Sequence, residues 1–371
     1  MDREKAVKQA KKIVIKIGSQ LLEKSGDIDT EFIENLSSQV KTLKEKDIEV
    51  LVVSSGAILA GIKKLNLTRK PQTISEKQAV SAVGQAFLMQ IYDKIFSKKG
   101  MNIGQILLTL EGLRDRKRYN YARQTLEKLL EFDVVPIINE NDTVAVEEIV
   151  FGDNDFLAAH VSTLVKADLL IILSTAGGVY TGDPLKEKVQ LIKEIKDIEK
   201  SLKFAKATKS RYGSGGMRSK LEAAKIAVSQ GIPVIIAPKK ENILEKILLQ
   251  EEPIGTYIYP HTKKKVSSKK RWLASLSYPK GRIIVDKGAQ EALKEGKSLL
   301  PAGIKSVEGI FSKKDVVAVL NEEEEMIGKG IVNYSYKELK KIAGKKTKEI
   351  EKILKKKPKE VIHTDDMVIF S

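Results

Sequence analysis

Short runs of β-branched residues alternate with amphipathic stretches over the first 260 residues of the chain. Continuous apolar runs predict buried strands, and apolar residues at helical spacing predict helices. The predicted strands are Lys12–Ile17, Glu49–Val53, Ile103–Leu108, Val134–Ile138, Leu169–Leu173 and Val234–Ile236. The predicted helices are Thr30–Lys46, Thr73–Phe96, Arg116–Phe132, Asp155–Val165 and Met217–Gln230. This alternation predicts an α/β fold, a three-layer sandwich with a mostly parallel central sheet covered by helices on both faces.

The pattern changes near residue 261. A basic, apolar-poor segment, 263–279, is predicted to be a linker, and short strand-like runs and two short helices follow it. The strands are Arg282–Val285, Ser306–Ile310, Val316–Leu320, Glu325–Val332 and Met367–Phe370, and the helices are Ala289–Glu295 and Tyr336–Ala343. The sequence therefore predicts two domains, 1–262 and a small β-rich domain over 280–371. A length of 371 residues agrees with two domains.

Composition narrows the class of protein. No apolar run approaches the roughly 18 residues that a membrane-spanning helix needs. The first residues, MDREKAVKQAKK, lack the apolar region of a secretory signal. Cysteine is absent, which excludes disulfides and thiolate chemistry and favours a cytoplasmic protein. The three histidines, His160, His261 and His363, lie far apart, and we predict no metal-ligating residues.

The positive charge is concentrated in the last third of the chain. The formal net charge is +17, and residues 261–371 hold 26 Lys and Arg against 15 Asp and Glu, a net +11. A basic domain attracts nucleic acid. The alternative, which charge alone favours, is a lysine-rich surface that is only solvated.

Carboxylate and amide side chains are concentrated in one segment between two apolar runs, residues 139–155, which read NENDTVAVEEIVFGDND. Burying such groups costs free energy unless they form hydrogen bonds. We expect them to bind the amine and carboxylate of a small amino acid. Within the segment, Gly152-Asp153-Asn154-Asp155 precedes a predicted helix. One Asp or Asn suffices for an N-cap, which stabilises a helix by about 1 kcal/mol, so three such residues in a row favour a role in ligand binding. A carboxylate of this segment placed between two lysines would hold both ammonium groups in position.

Two elements favour phosphate binding. The turn GSGGMRSK at 213–220 opens a predicted helix, where glycines admit a phosphate and free N–H groups face it. It is not a P-loop, because GxxxxGK[ST] is missing, and a flexible loop is the alternative. Lys16 lies near the end of an apolar strand, two residues before Gly18, and is costly to bury without an anion, although it could instead extend to solvent. Together Lys16 and Lys220 would clamp a transferring phosphoryl group.

Polar and glycine residues follow several predicted strands. These loops begin at Lys16, Ser54, Asn139 and Ser174. Because ligands bind beyond the carboxyl ends of parallel strands, we expect one site there. The turn at Ser55 exposes N–H groups suited to a substrate carboxylate. A nucleophilic role for Ser55 is not predicted, because no histidine is placed to activate it and no GxSxG motif occurs.

Nine segments resemble, in order, the amino-acid kinase family, and within it the members that phosphorylate glutamate. They are IVIKIGSQLL, VVSSGAILAG, QAVSAVGQ, GQILLT, YNYARQTL, VVPIINENDTV, FGDND, GSGGMRSK and LLPAGIKSVEG. FGDND together with GGMxxK is distinctive. The C-terminal region resembles the PUA domain, a small β-barrel best known for RNA binding. The resemblance covers essentially the whole chain.

The resemblance implies phosphorylation of the side-chain carboxylate of L-glutamate by MgATP, the first step toward proline. Lys16 and Lys220 would stabilise the phosphoryl group, and Asp155 would orient them. The implied glutamate-binding residues are Ser55, Gly56, Asn139, Asp142, Asp153 and Asn154. The implied ATP-binding residues are Lys16, Gly18, Ser174, Thr175, Ser214, Gly215, Gly216, Met217, Arg218, Ser219 and Lys220. Mg²⁺ would be held largely by the nucleotide. A homo-oligomer, either dimer or tetramer, and feedback inhibition by proline are also implied.

Two alternatives remain open. One is another kinase of the same family, acting on an N-acylated amino acid, on aspartate or on a nucleoside monophosphate. The acidic and amide cluster argues for a free ammonium group on the substrate, against acylated ones. The other is an RNA-binding protein that uses the C-terminal domain, which would leave Lys16, Lys220 and the acidic cluster without a role.

Overall fold

The structure is a computed structural model that describes residues 1–145, 154–182, 189–205, 216–261, 267–355 and 357–370. The chain divides into two compact units. The first comprises Met1–Leu113 and Lys117–Lys265, and the second comprises Arg114–Arg116 and Val266–Ser371. Within the described residues, no helix is both long enough and apolar enough to cross a lipid bilayer.

A mostly parallel sheet forms the centre of the first unit. The strands of this unit are β1 (Lys12–Ile17), β2 (Glu23–Lys24), β3 (Asp27–Ile28), β4 (Glu49–Ser54), β5 (Ile103–Leu108), β6 (Val135–Glu140), β7 (Leu169–Ser174), β8 (Val179–Tyr180), β9 (Leu191–Ile192), β10 (Glu194–Ile195), β11 (Val234–Pro238) and β12 (Thr256–Ile258). Over the described residues, the large sheet has the order β10-β12-β11-β7-β1-β4-β6-β5. Its pairings are parallel except for β11 with β12. The predicted α/β class is confirmed.

Helices connect these strands and cover the sheet. They are α1 (Arg3–Lys8), α2 (Thr30–Lys44), α3 (Ala57–Lys64), α4 (Ile74–Ser97), α5 (Leu110–Arg114), α6 (Arg116–Glu131), α7 (Asp155–Val165), α8 (Ile198–Ala205), α9 (Met217–Ser229) and α10 (Ile243–Leu248). The apolar runs of β1 and β7 are buried almost completely. A continuous apolar run is what a parallel strand requires when helices pack on both of its faces.

The strand β6 differs from its prediction in a way that matters for the site. It extends to Glu140, so Asn139 and Glu140 are strand residues and do not lie in the loop that their polarity predicts. Their backbones pair with Leu107 and Leu108 of β5. Ladder hydrogen bonds use only backbone groups, so a polar side chain does not by itself end a strand. The backbone that carries the Asn139 side chain is therefore fixed by its pairing within the sheet.

The second unit is a small β-rich body with its own core. Its sheet consists of β13 (Gly281–Val285), β14 (Ile304–Gly309), β15 (Val316–Leu320), β16 (Met326–Ile331) and β17 (Met367–Ile369), in the order β14-β13-β15-β16-β17. Its helices are α11 (Ser268–Ser275), α12 (Lys287–Lys294), α13 (Tyr336–Ile342) and α14 (Thr347–Leu354). Part of the segment predicted to be a linker is thus helical, because Trp272 and Leu273 of α11 are buried apolar side chains.

Candidate active site

Two lysines from distant parts of the chain contact the carboxylate of one aspartate. The Nζ of Lys16 lies 2.5 Å from Oδ1 of Asp155, and the Nζ of Lys220 lies 3.1 Å from Oδ2. Lys16 is 3% exposed, Lys220 is 8% exposed and Asp155 is 0% exposed. These three side chains together carry two positive charges and one negative charge where water is largely excluded. Buried charges of this kind require partners of opposite sign.

The fold brings this cluster together at the carboxyl edge of the sheet. Lys16 is the next-to-last residue of β1, which pairs with β4 on one side and β7 on the other. Asp155 is the first residue of α7, and Lys220 lies in the first turn of α9. Helix α7 packs against both β1 and α9. A Cβ atom at Gly18 would lie 3.5 Å from the Nζ of Lys16, so glycine leaves space beside that ammonium.

An amide network lies at the ends of the neighbouring strands. Asn154 occupies the N-cap position of α7, but its side chain makes no capping hydrogen bond. Its Nδ2 instead donates to Oδ1 of Asn139 at 2.7 Å, to Oγ of Ser55 at 3.1 Å and to the carbonyl oxygen of Ser54 at 3.1 Å. The side chain therefore joins the ends of β4 and β6, a role that helix capping alone does not require.

Two residues of α4 that were not among the predicted site residues complete this network. Gln85 accepts a hydrogen bond from Nδ2 of Asn139 at 2.8 Å, and Ser81 donates one to Asp142 at 2.5 Å. Both lie in the segment QAVSAVGQ, where they are polar residues four positions apart. That spacing places them on one helix face. Their burial could have signalled a role, but burial is not visible in the sequence.

Asp142 contributes a carboxylate that accepts a hydrogen bond from Ser81. Among the described residues, no lysine or arginine lies within ion-pair distance of it. Burial raises the pKa of its carboxyl group, and the hydrogen bond from Ser81 opposes that rise. A partly buried carboxylate of this kind gains free energy when a cation binds beside it.

The turn between β4 and α3 offers a second polar surface. Gly56 is the N-cap of α3 and has a φ of 105°, a backbone conformation that glycine adopts readily. Gly56 has no side chain that could cap the helix, and the N–H groups of a helix's first turn have no partner within the helix itself. Ser55 lies beside them, and its Oγ accepts from Asn154.

The predicted nucleotide-binding residues lie at three places. Ser174 ends β7 and is buried, whereas Thr175 is exposed. Gly216 is the N-cap of α9, followed by Met217, Arg218, Ser219 and Lys220 in its first turn. The guanidinium of Arg218 pairs with Glu222 of the same helix at 2.8 Å. Ser214, Gly215 and Asp153 lie outside the described residues.

Known protein families and proteins match most of the length of this chain. The amino acid kinase family matches residues 11–238, and the PUA domain matches residues 281–354. A glutamate 5-kinase of Aquifex aeolicus is 52% identical over 362 residues, which cover 97% of this chain and 99% of that protein. A glutamate 5-kinase of Carboxydothermus hydrogenoformans is 46% identical, with 98% of each chain covered. The carbamate kinase of Giardia lamblia bound to AMP-PNP aligns in structure with 13% identity and a TM-score of 0.49, over 68% of this chain and 99% of that one.

Proposed function

This chain belongs to the amino acid kinase family, and we propose that it transfers the γ-phosphoryl group of ATP to the side-chain carboxylate of L-glutamate. The relatives that match it from end to end are named glutamate 5-kinases. The observation that carries the proposal is the convergence of Lys16 and Lys220 on the carboxylate of Asp155. The remaining residues of the site would bind the two substrates, glutamate and ATP.

The reaction requires charge stabilisation and alignment but no proton transfer. A side-chain oxygen of glutamate forms a bond to the γ-phosphorus, the bond to the oxygen bridging β- and γ-phosphorus breaks, and ADP leaves with that electron pair. The carboxylate of free glutamate has a pKa near 4.3 and is already ionised at neutral pH, so no general base is needed. A site built from lysines, amides and carboxylates therefore suits this reaction.

Lys16 and Lys220 would contact the oxygens of the transferring group. Negative charge is spread over those oxygens in the transition state, and fixed cations stabilise it without having to reorganise. Asp155 would fix both ammonium groups, because each carboxylate oxygen contacts one of them.

The amino acid would bind between β4, β6 and the start of α7. Its ammonium group would lie near the carboxylate of Asp142 and the amide oxygen of Asn154, with Asp153 and Asn139 close by. Its α-carboxylate would accept hydrogen bonds from the turn at Ser55 and Gly56. A carboxylate at Asp142 favours a substrate with a free ammonium over an N-acylated one, because an acylated nitrogen carries no charge.

ATP would bind across the ends of β7 and β1. Gly18, Ser174, Thr175 and the start of α9 would contact the nucleotide, together with Ser214 and Gly215. Mg²⁺ would enter with the nucleotide, held largely by its phosphates, and would neutralise part of their charge. Within the described residues, no group of three or more histidine, cysteine or acidic side chains could hold a metal ion.

A coupled ADP-release assay tests the proposal with a panel of acceptors. The panel contains L-glutamate, L-aspartate, N-acetyl-L-glutamate, carbamate and UMP, each with MgATP and the full-length protein. We expect L-glutamate to give the highest kcat/KM. A higher value for any other acceptor would overturn the substrate assignment, and lack of ADP release with all of them would overturn the kinase proposal.

Further properties are proposed on the family resemblance. We propose a cytoplasmic homo-oligomer, either dimer or tetramer, that proline inhibits. The domain boundaries 1–262 and 280–371 belong to the same proposal. RNA binding by the second unit, whose basic charge would attract nucleic acid, is tested by a gel shift with transfer RNA in parallel with the kinase assay.

A further inference from the structure

One face of α4 carries polar side chains that are buried against the amino-acid subsite. Ser81 and Gln85 are 2% and 8% exposed, and Leu88 continues the same face with an apolar side chain. Burying a hydroxyl or an amide costs free energy unless it is hydrogen-bonded. Ser81 and Gln85 instead form hydrogen bonds with Asp142 and Asn139, which lie outside the helix among the residues proposed to bind glutamate.

The hydrogen bonds of Asn139 determine which way its amide points. The backbone N–H of Glu140 can only donate, and it lies 2.8 Å from the Oδ1 of Asn139. The other end of this amide, Nδ2, must therefore face Gln85, whose Oε1 accepts at 2.8 Å. Gln85 thus adds a second hydrogen bond to the orientation of the Asn139 side chain that the Glu140 N–H selects.

This orientation is passed on to Asn154. Its Nδ2 faces the Oδ1 of Asn139 and the carbonyl oxygen of Ser54, and a carbonyl oxygen can only accept. The Oδ1 of Asn154 consequently points away from these two partners. An acceptor oriented in this way is what the ammonium group of an amino acid requires.

Ser81 acts on the second acceptor of the subsite. Its hydroxyl donates to the Oδ2 of Asp142 and restricts the rotation of that carboxylate. The hydrogen bond also stabilises the ionised form of Asp142, which burial disfavours. An ionised Asp142 attracts an ammonium group, whereas a protonated one does not.

Two glycines bring α4 close enough for these contacts. A Cβ at Gly84 would lie 1.8 Å from the carbonyl oxygen of Ala57, and one at Gly61 would lie 2.0 Å from that of Val80. The backbones of α3 and α4 therefore touch at both glycines. The polar face of α4 is held at a fixed distance from the start of α3, where the substrate carboxylate is proposed to bind.

We propose that Ser81 and Gln85 are positioning residues for the ammonium group of the amino-acid substrate. Ser81 fixes the carboxylate of Asp142, and Gln85 fixes Asn139 and, through it, the amide of Asn154. This inference rests on the proposed function. Ser81 and Gln85 would act through Asp142 and Asn139 without contacting the ligand themselves.

The test compares Ser81→Ala and Gln85→Met with the wild-type protein at full length. Each substitution removes one hydrogen bond that fixes an acceptor, so we expect the KM for glutamate to rise about tenfold, which corresponds to about 1.4 kcal/mol. The kcat and the KM for ATP should change by less than about a factor of three. Ser81→Thr keeps the hydroxyl and should keep the glutamate KM near that of the wild type.

Glutarate, which is glutamate without the ammonium group, supplies a readout that a purely structural role would not change. We expect both variants to lose much of the wild-type preference for glutamate over glutarate. The matched controls are Ser37→Ala and Gln39→Met on α2. Ser37 donates within its own helix, and Gln39 accepts from the backbone N–H of Leu244. Both control residues are buried, and we expect a lower melting temperature without a change in glutamate KM.

The outcomes separate the inference from the function on which it rests. If the wild type phosphorylates glutamate and neither variant changes its glutamate KM, the inference is wrong. A parallel rise in the KM for ATP would also overturn it, because the face would then support the fold in general. If the wild type does not phosphorylate glutamate, the proposed function fails first. Ser81→Ala removes a single oxygen atom, so it decides the question even if Gln85→Met does not fold.

Discussion

Replacing Asp155 by asparagine tests the charge arrangement at the centre of the site. The change keeps the shape of the side chain and removes the negative charge that two buried lysines share. At an effective dielectric constant of about 20, a carboxylate at 2.5 Å and 3.1 Å attracts the two ammonium groups by roughly 7 and 5 kcal/mol before desolvation is subtracted. The measured loss on breaking a buried pair is smaller, about 3–5 kcal/mol. We therefore expect the ligand-free variant to be destabilised by about that amount.

The kinetic effect should fall on turnover and not on nucleotide affinity. Two lysines without a shared anion attract phosphates at least as strongly, but they no longer hold the transferring group in a fixed geometry. Loss of one such preorganised contact lowers kcat by about 10²–10³-fold. We expect Asp155→Asn to show this fall in kcat, with a KM for ATP equal to or lower than that of the wild type.

The assay is ADP release at saturating glutamate over a range of ATP concentrations, together with thermal melting with and without ATP. Binding of ATP should raise the melting temperature of Asp155→Asn more than that of the wild type, because phosphate supplies the missing negative charge. The control is Asp168→Asn. Asp168 accepts from the backbone N–H groups of Lys11 and Lys12 at the opposite end of β1, and its loss should leave the kinetics unchanged. A normal kcat with a raised KM for ATP in Asp155→Asn would refute this reasoning.

Three further perturbations address other parts of the site. Lys16→Ala and Lys220→Ala should each lower kcat by about 10²-fold or more with the fold intact on a circular dichroism spectrum; near-normal turnover in either would remove the two-lysine model. Asp142→Asn should raise the KM for glutamate but not that for ATP. In the wild type this KM should rise as the pH falls through the raised pKa of Asp142, because the protonated group is neutral, and it should do so at a higher pH than the ordinary value of about 3.9; an unchanged pH profile in Asp142→Asn would contradict this. Gly84→Ala should lower the melting temperature by forcing a Cβ against the carbonyl of Ala57, at a cost of about 1–3 kcal/mol, and an unchanged melting curve would show that the two helices separate freely.

Much of the sheet could be predicted from the sequence because parallel strands leave a strong pattern. The runs Lys12–Ile17 and Ile103–Leu108 are strands with the predicted ends. Polarity was a poorer guide at β6, where backbone pairing with β5 continues through Asn139 and Glu140. The antiparallel strand β12 has only three residues, and its sequence alone does not distinguish it from a loop.

Residues of the candidate site could be predicted where a charged side chain occurs in an otherwise apolar element. A lysine at the end of an apolar strand needs an anion, and the sequence offered a carboxylate at the start of a helix to hold it. The structure brings Lys16 and Asp155 together, whereas the roles of these residues stay predictions. Ser81 and Gln85 could not be found in this way, because their importance depends on which face of α4 is buried and on what that face contacts.

The position of β1 inside the sheet bears on how the enzyme responds to heat. This strand pairs with β4 and β7 along its length, so the backbone that carries Lys16 has no free edge. Amide hydrogens on such a strand exchange with solvent only in the largest opening events of a protein. Lys16 is therefore carried by a strand whose backbone opens rarely. Asp155 and Lys220 lie in the first turns of their helices, which open more easily. Inactivation on warming should accordingly begin at those helix ends and precede the exchange of the β1 amides.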